Sequence, residues 1–107
     1  PFGVSLLIAG SDDKGSKLFM TDPSGAYWGY KAQAIGSGAQ TVKELLEKEY
    51  KEDINLDQSI KLALNSLKQV IESDFDSNKV EIAIIKNEDK IFRIMEQKEL
   101  QEYIDSL

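Results

Sequence analysis

The chain has 107 residues, 13 basic and 19 acidic side chains for a net charge of −6, 41% hydrophobic residues, and neither cysteine nor histidine. That length fits one domain, residues 1–107, and the acidic balance repels nucleic acid and anionic lipid. Without Cys or His there are no disulfides, thiolate nucleophiles or sulfur-based zinc sites, and the commonest general base is missing. The longest apolar run, Leu6-Leu7-Ile8-Ala9, falls far short of a membrane span, and the N-terminus lacks a secretory progression. A cytoplasmic and nuclear location is the expectation.

In chain order, Gly3 to Ala9 alternates Val4, Leu6, Ile8 against Ser5, Leu7, Ala9 and predicts a strand, with Ser11-Asp12-Asp13-Lys14-Gly15 as its turn. Lys17 to Thr21 predicts a second strand closed by Asp22-Pro23-Ser24-Gly25, where Pro presets a turn torsion and Gly tolerates a positive one. Tyr27-Trp28-Gly29-Tyr30 completes a three-strand meander that runs through Lys31–Ile35 into glycines. There the period changes to about 3.6. Val42, Leu45, Leu46 and Tyr50 line one face of a helix ending near Tyr50, with Lys43, Glu44, Glu47 and Lys48 outward.

Asn55 followed by Gln58 fits a capping box, and Ile60, Ala63, Leu64, Leu67, Val70 and Ile71 form the apolar stripe of a second helix. Asp74–Asn78 breaks it. Val80, Ile82 and Ile84 alternate as a strand, Asn87-Glu88-Asp89 turns, and Lys90–Met95 returns as its partner. Leu100, Tyr103, Ile104 and Leu107 mark a final helix, giving the order β3-α2-β2-α1 with antiparallel sheets.

Three groups of residues invite a chemical reading. Ile35-Gly36-Ser37-Gly38-Ala39 stands between strand and helix as a dinucleotide fingerprint would, yet lacks the third glycine, the βαβ context and the Lys-Ser/Thr of a P-loop. A tight bend with close helix-to-sheet approach is the preferred reading. Asp12 with Asp13, and Asp74 with Asp76, have the composition of acid–base pairs or calcium ligands, but lie in turns where Asp serves the local backbone. Ser37 and Ser59 lack the lysine spacing that a histidine-free serine nucleophile needs. Strand alternation puts Trp28 and Tyr30 on one face, where core or subunit contact outweighs ligand stacking.

In order and spacing, Pro1-Phe2-Gly3-Val4-Ser5, Thr21-Asp22-Pro23-Ser24-Gly25, Lys31-Ala32-x-Ala34-Ile35-Gly36, the Leu45-Leu46-Glu47 helix and Lys79-x-Glu81-Ile82 resemble the second half of a proteasome alpha-type subunit. Asp13-Lys14-Gly15, Lys17-Leu18-Phe19 and Lys98-Glu99-Leu100 resemble the fifth alpha type most. The resemblance implies an α+β fold of the N-terminal-nucleophile hydrolase kind, an αββα sandwich of which this chain supplies the second half. It implies a non-catalytic structural subunit of the alpha ring of the 20S core particle, which caps and gates the proteolytic chamber in ubiquitin-dependent degradation.

The implied partners are neighbouring alpha and beta subunits and, through the complete ring, regulatory caps. No catalytic residue, cofactor or metal is implied. The catalytic beta relatives use an N-terminal threonine, whereas this chain starts with Pro1, and a serine in a Gly-Ser-Gly-Ser bend, where it reads Gly36-Ser37-Gly38-Ala39. Asp74-Phe75-Asp76-Ser77-Asn78 does not reproduce their later Asp and Ser-Gly loop. The family's gate tail and activator pocket would lie upstream of Pro1. A half-sandwich leaves sheet faces bare, so self-association of the isolated chain is expected. The competing readings are a free-standing, catalytically silent α/β interaction module and an anion-binding domain using Ile35–Ala39.

Overall fold

The computed structural model describes residues 5–71 and 74–107, so the predicted strand start at Gly3 and the Pro1–Val4 motif residues lie outside the described residues. The elements are β1 (Leu6–Asp12), β2 (Gly15–Thr21), β3 (Tyr27–Tyr30), α1 (Ala39–Glu49), α2 (Leu56–Lys68), β4 (Ala83–Ile85), β5 (Phe92–Ile94) and α3 (Gln97–Asp105). The order is the predicted one, an α+β arrangement of antiparallel sheets and three helices.

Strands β1, β2 and β3 form an antiparallel meander, with Leu6 opposite Thr21, Ile8 opposite Phe19, and Met20 opposite Trp28. The first turn is tighter than its composition suggests. Pairing continues to Asp12 opposite Gly15, so Ser11 and Asp12 belong to β1 and only Asp13-Lys14 turns. Gly15 at φ +110° and the Asp12 carboxylate, which accepts from the Lys14 amide at 2.7 Å, make that two-residue loop possible. The second turn is held by Asp22, whose Oδ1 accepts from the Ser24 amide at 2.9 Å and the Ala26 amide at 3.2 Å.

Helix α2 lies between α1 and α3. Its capping box is present in both halves: Asn55 Oδ1 accepts from the Gln58 amide at 2.8 Å, and Gln58 Oε1 accepts from the Asn55 amide at 3.0 Å. The helix ends at Lys68, so the predicted stripe residues Val70 and Ile71 lie just beyond it, where their amides bond to the Leu67 carbonyl. Replacing the cap, Asn55→Ala, is expected to lower unfolding free energy by about 1 kcal/mol, read as a shift in the urea midpoint with unchanged slope.

The predicted strand Val80–Ile84 forms later and shorter, at Ala83–Ile85, although the Met95 amide still bonds to the Ile82 carbonyl at 2.8 Å. Ile84 sits opposite Arg93, and Ala83 and Ile85 sit opposite Ile94 and Phe92.

The buried core consists of Ile60, Leu64, Ile84, Met95 and Leu100, with Phe75, Val80, Ile82, Tyr103, Ile104 and Leu107 packed around it. Every one comes from α2, the β4–β5 hairpin, α3 or their flanks. The meander faces α1 and α2 through Leu7 and Leu18 across an apolar cleft of about 450 Å³ whose helical wall includes Val42, Leu46, Leu62 and Leu67. The buried Ser66 hydroxyl donates to the Leu62 carbonyl at 2.8 Å, the usual way a helix accommodates a serine on its packed side.

Candidate functional site

The glycine bend, the aspartates and the sheet faces each have a defined geometry. Gly36 takes φ +106° and Gly38 φ +78°, both in the region that L side chains avoid. The Ala39 amide bonds back to the Gly36 carbonyl at 3.1 Å, and the Val42 amide to the Gly38 carbonyl at 3.2 Å, so the bend closes directly into α1. A Cβ placed on Gly38 would stand 2.8 Å from Val70 Cγ1 and 2.9 Å from its Cβ, whereas one on Gly36 would meet nothing within 4 Å. Gly38 is therefore a packing residue at the crossing of the α1 start and the segment after α2. The volume beside it is filled by Val70. Close approach is what the sequence favoured over anion binding, though it joins the start of α1 to the segment after α2 rather than helix to sheet.

The aspartates go to local backbone duty. Asp12 serves the Lys14 amide, and Asp76 accepts from the Asn78 amide at 2.8 Å. Asp22 has its carboxyl held below the ordinary range, chiefly by the Ser24 hydroxyl. Among the described residues no group of three or more Asp or Glu is arranged to hold a metal ion, and no helix is long and apolar enough to cross a membrane. Ser37 is exposed. Trp28 and Tyr30 share the face of the meander that carries Met20 and Leu18, as alternation predicts, but Trp28 is 49% exposed at the sheet's end.

The larger feature is apolar. The meander's other face carries Leu6 and Ile8, 46% and 51% exposed, beside their cross-strand neighbours Thr21 and Phe19. In the second hairpin, Ile84 is buried toward the helices while Phe92 and Ile94, 63% and 51% exposed, share the opposite face with Ala83 and Ile85. Ile91 adds to that surface. The second hairpin is thus packed against helices on one side and the meander faces them across the cleft, while each carries exposed apolar side chains on its other face. The signal was available in the sequence: Leu6-Leu7-Ile8-Ala9 is apolar on both faces of a strand, and Ile91-Phe92-Arg93-Ile94-Met95 is so apart from Arg93, close to the pattern of sheets covered on both sides.

Polar ties fix the last helix. Arg93 meets Glu99 at 2.9 Å and 3.4 Å, a two-pronged pair linking β5 to α3. Glu99 is held below the ordinary carboxylate range, first by hydrogen bonding to Arg93. Asp57 is lowered too, first by the Tyr103 hydroxyl and then by Lys61, and the same hydrogen bond raises Tyr103. Groups depressed on folding contribute stability above their unfolded pKa, about 3.9 for Asp and 4.3 for Glu, and lose it as pH falls through the folded value. Urea midpoints are expected to drop below about pH 4, with a shallower drop in Glu99→Gln.

Residues 1–85 of this α+β chain match the family model described as "Proteasome subunit". The chain belongs to that family. It is 44% identical over its whole length to "Proteasome subunit alpha" of Methanosarcina thermophila, covering 43% of that protein. It is 45% identical over 104 residues, 97% of this chain and 44% of the relative, to "Proteasome subunit alpha type-2-A" of Arabidopsis thaliana. Over all 107 residues it is 42% identical to "Proteasome subunit alpha type-2" of Oryza sativa subsp. indica, covering 45% of that protein. The chain thus spans less than half the length of the curated relatives it matches.

Proposed function

We propose that this chain is part of a non-catalytic, structural subunit of the alpha ring of the 20S proteasome core particle, assembling the ring that caps and gates the proteolytic chamber in ubiquitin-dependent degradation. One observation carries the reading: both sheets face helices on one side and carry bare apolar side chains, Leu6 and Ile8 or Phe92 and Ile94, on the other. In an αββα sandwich those bare faces are the inner ones, and what covers them is the rest of such a subunit. The residues 1–85 family match and the alpha names of the relatives support the same reading.

The bend offers Ala39 where the catalytic kind of subunit has a serine, and Gly38 is taken up by packing against Val70, which supports the non-catalytic reading. Neighbouring alpha and beta subunits are the proposed direct partners, with regulatory caps engaged through the complete ring, and cytoplasm and nucleus the proposed location. Assignment to the fifth alpha type rests on Asp13-Lys14-Gly15, Lys17-Leu18-Phe19 and Lys98-Glu99-Leu100, while the plant relatives named above are of the second type. Rescue of a cell lacking one alpha type, tried for each type in turn, decides it.

The isolated chain is proposed to self-associate through the bare faces. Light scattering is expected to show growth of large species with concentration, suppressed by Ile8→Lys with Phe92→Lys; a clean monomer at high concentration would favour the free-standing interaction module. The ring reading itself is tested by a chimera in which these 107 residues replace the matching segment of the Methanosarcina thermophila alpha subunit. The chimera is expected to form ring-sized assemblies under conditions where the parent subunit does. A folded chimera that stays monomeric would refute the reading.

A further inference from the structure

We propose that the β1–β3 meander is a leaf that opens as a unit about the 31–38 connection while α2, β4, β5 and α3 stay folded, with Asn87 as the latch that holds it shut. The first ground is where the core lies. Ile60, Leu64, Ile84, Met95 and Leu100 form a closed cluster, whereas every side chain described between Ser5 and Tyr30 is exposed or half-buried. The second is the apolar cleft of about 450 Å³ between the layers. Leu7 and Leu18 on one wall and Leu46, Leu62 and Leu67 on the other line open space between the layers, so fewer close atomic contacts hold them together than in a filled core. Opening the leaf therefore forfeits little dispersion energy, while the ladders of β1–β2 and β2–β3 move with it intact.

The side-chain hydrogen bonds described between the layers are local. Asn87, in the turn between β4 and β5, presents Oδ1 to two hydroxyls of the first hairpin: Ser11 Oγ donates to it at 3.4 Å, and Ser16 Oγ donates to it as well. Both serines flank the Asp13-Lys14 turn, so one carboxamide oxygen grips the hairpin's tip from both strands. A charged tie, Lys31 to Glu52 at 3.8 Å, joins side chains 71% and 78% exposed, where an ion pair contributes little. The connection at 31–38 has no helix or strand and contains Gly36, around whose Cα there is open space. That is the kind of segment that absorbs a hinge rotation. Opening units of this sort, with their own free energies, are common in small proteins. The inference concerns the chain without the cover that the ring reading supplies.

Hydrogen exchange read by mass spectrometry tests it on the 107-residue chain, at a concentration where light scattering shows one species. Peptides from the meander are expected to exchange at least about tenfold faster than those from α2 and α3. Asn87→Ala removes the shared acceptor and is expected to speed exchange of the meander by about fivefold, leaving α2 and α3 unchanged. Ser11→Ala with Ser16→Ala should reproduce that change and add nothing to Asn87→Ala. Asn87→Asp keeps acceptor oxygens and should stay near the starting rate. Exchange of meander and helices in step, acceleration of all segments together by Asn87→Ala, or no change in the meander in either alanine variant would overturn the proposal.

Discussion

Gly38→Ala is expected to lower the unfolding free energy by about 2–4 kcal/mol, enough to take the melting temperature down by roughly 10 °C or more in a domain of this size. Two costs add. The backbone at φ +78° disfavours any Cβ, and that Cβ would sit 2.8 Å from Val70 Cγ1. Gly36→Ala separates them, because its φ of +106° imposes the backbone cost with open space around it. Truncating the neighbour, Val70→Ala, should recover part of the Gly38→Ala loss and none of the Gly36→Ala loss, as a double-mutant cycle on urea midpoints would show. Equal recovery in both, or in neither, would mean that Val70 is not what excludes a side chain at position 38. Gly38→Asp is for the same reason a poor probe of nucleotide binding, since it unsettles the bend before it tests any ligand.

Leu64→Ala should cost about 3–5 kcal/mol and abolish cooperative folding of the α2, β4–β5 and α3 unit under mild denaturant. Leu64 is 0% exposed at the centre of the buried cluster, with Ile60, Ile84, Met95 and Leu100 as the other members, so truncation leaves a cavity that a tightly tied hairpin and helix cannot collapse into. Ile8→Ala removes as large an aliphatic group from the bare face of β1, where the side chain is 51% exposed, and should shift the isolated chain's stability by less than about 0.5 kcal/mol. The contrast identifies which apolar residues hold this chain together and which await a cover. Equal losses at the two positions would place the core elsewhere.

Element order and helix type were legible because each period is sustained: Ile60, Leu64 and Leu67 recur at helical spacing, and the Asn55 and Gln58 cap is written into the chain. Boundaries were less so. The stripe runs on through Val70 and Ile71, but those residues serve another purpose, Val70 packing against Gly38, and no local pattern announces a contact 32 positions away in sequence. Val80 and Ile82 have strand composition, yet regular β4 starts at Ala83, beyond the point where those residues turn to pack against the helical core. Ser11 and Asp12 look like turn residues and are strand residues, because Gly15 at positive φ lets two residues make the turn.

For the site, the sequence was informative mainly about what the side chains do not assemble. Asp12 and Asp76 serve amides two residues on, as turn aspartates do, whereas the bend's packing partner, Val70, lies far away in sequence. The bare faces were expected from the resemblance to half a sandwich rather than from the strands themselves, and their extent depends on pairing register, which joins residues up to 15 apart in β1 and β2.

Purification of the endogenous polypeptide through a C-terminal tag, followed by native mass spectrometry and a peptidase assay, tests the ring assignment most directly. The expected result is one large complex in which this sequence occurs in fixed ratio with several alpha-type and beta-type subunits, and whose peptide hydrolysis survives mutation of Ser37. Recovery of a small, uniform species free of such subunits would contradict it.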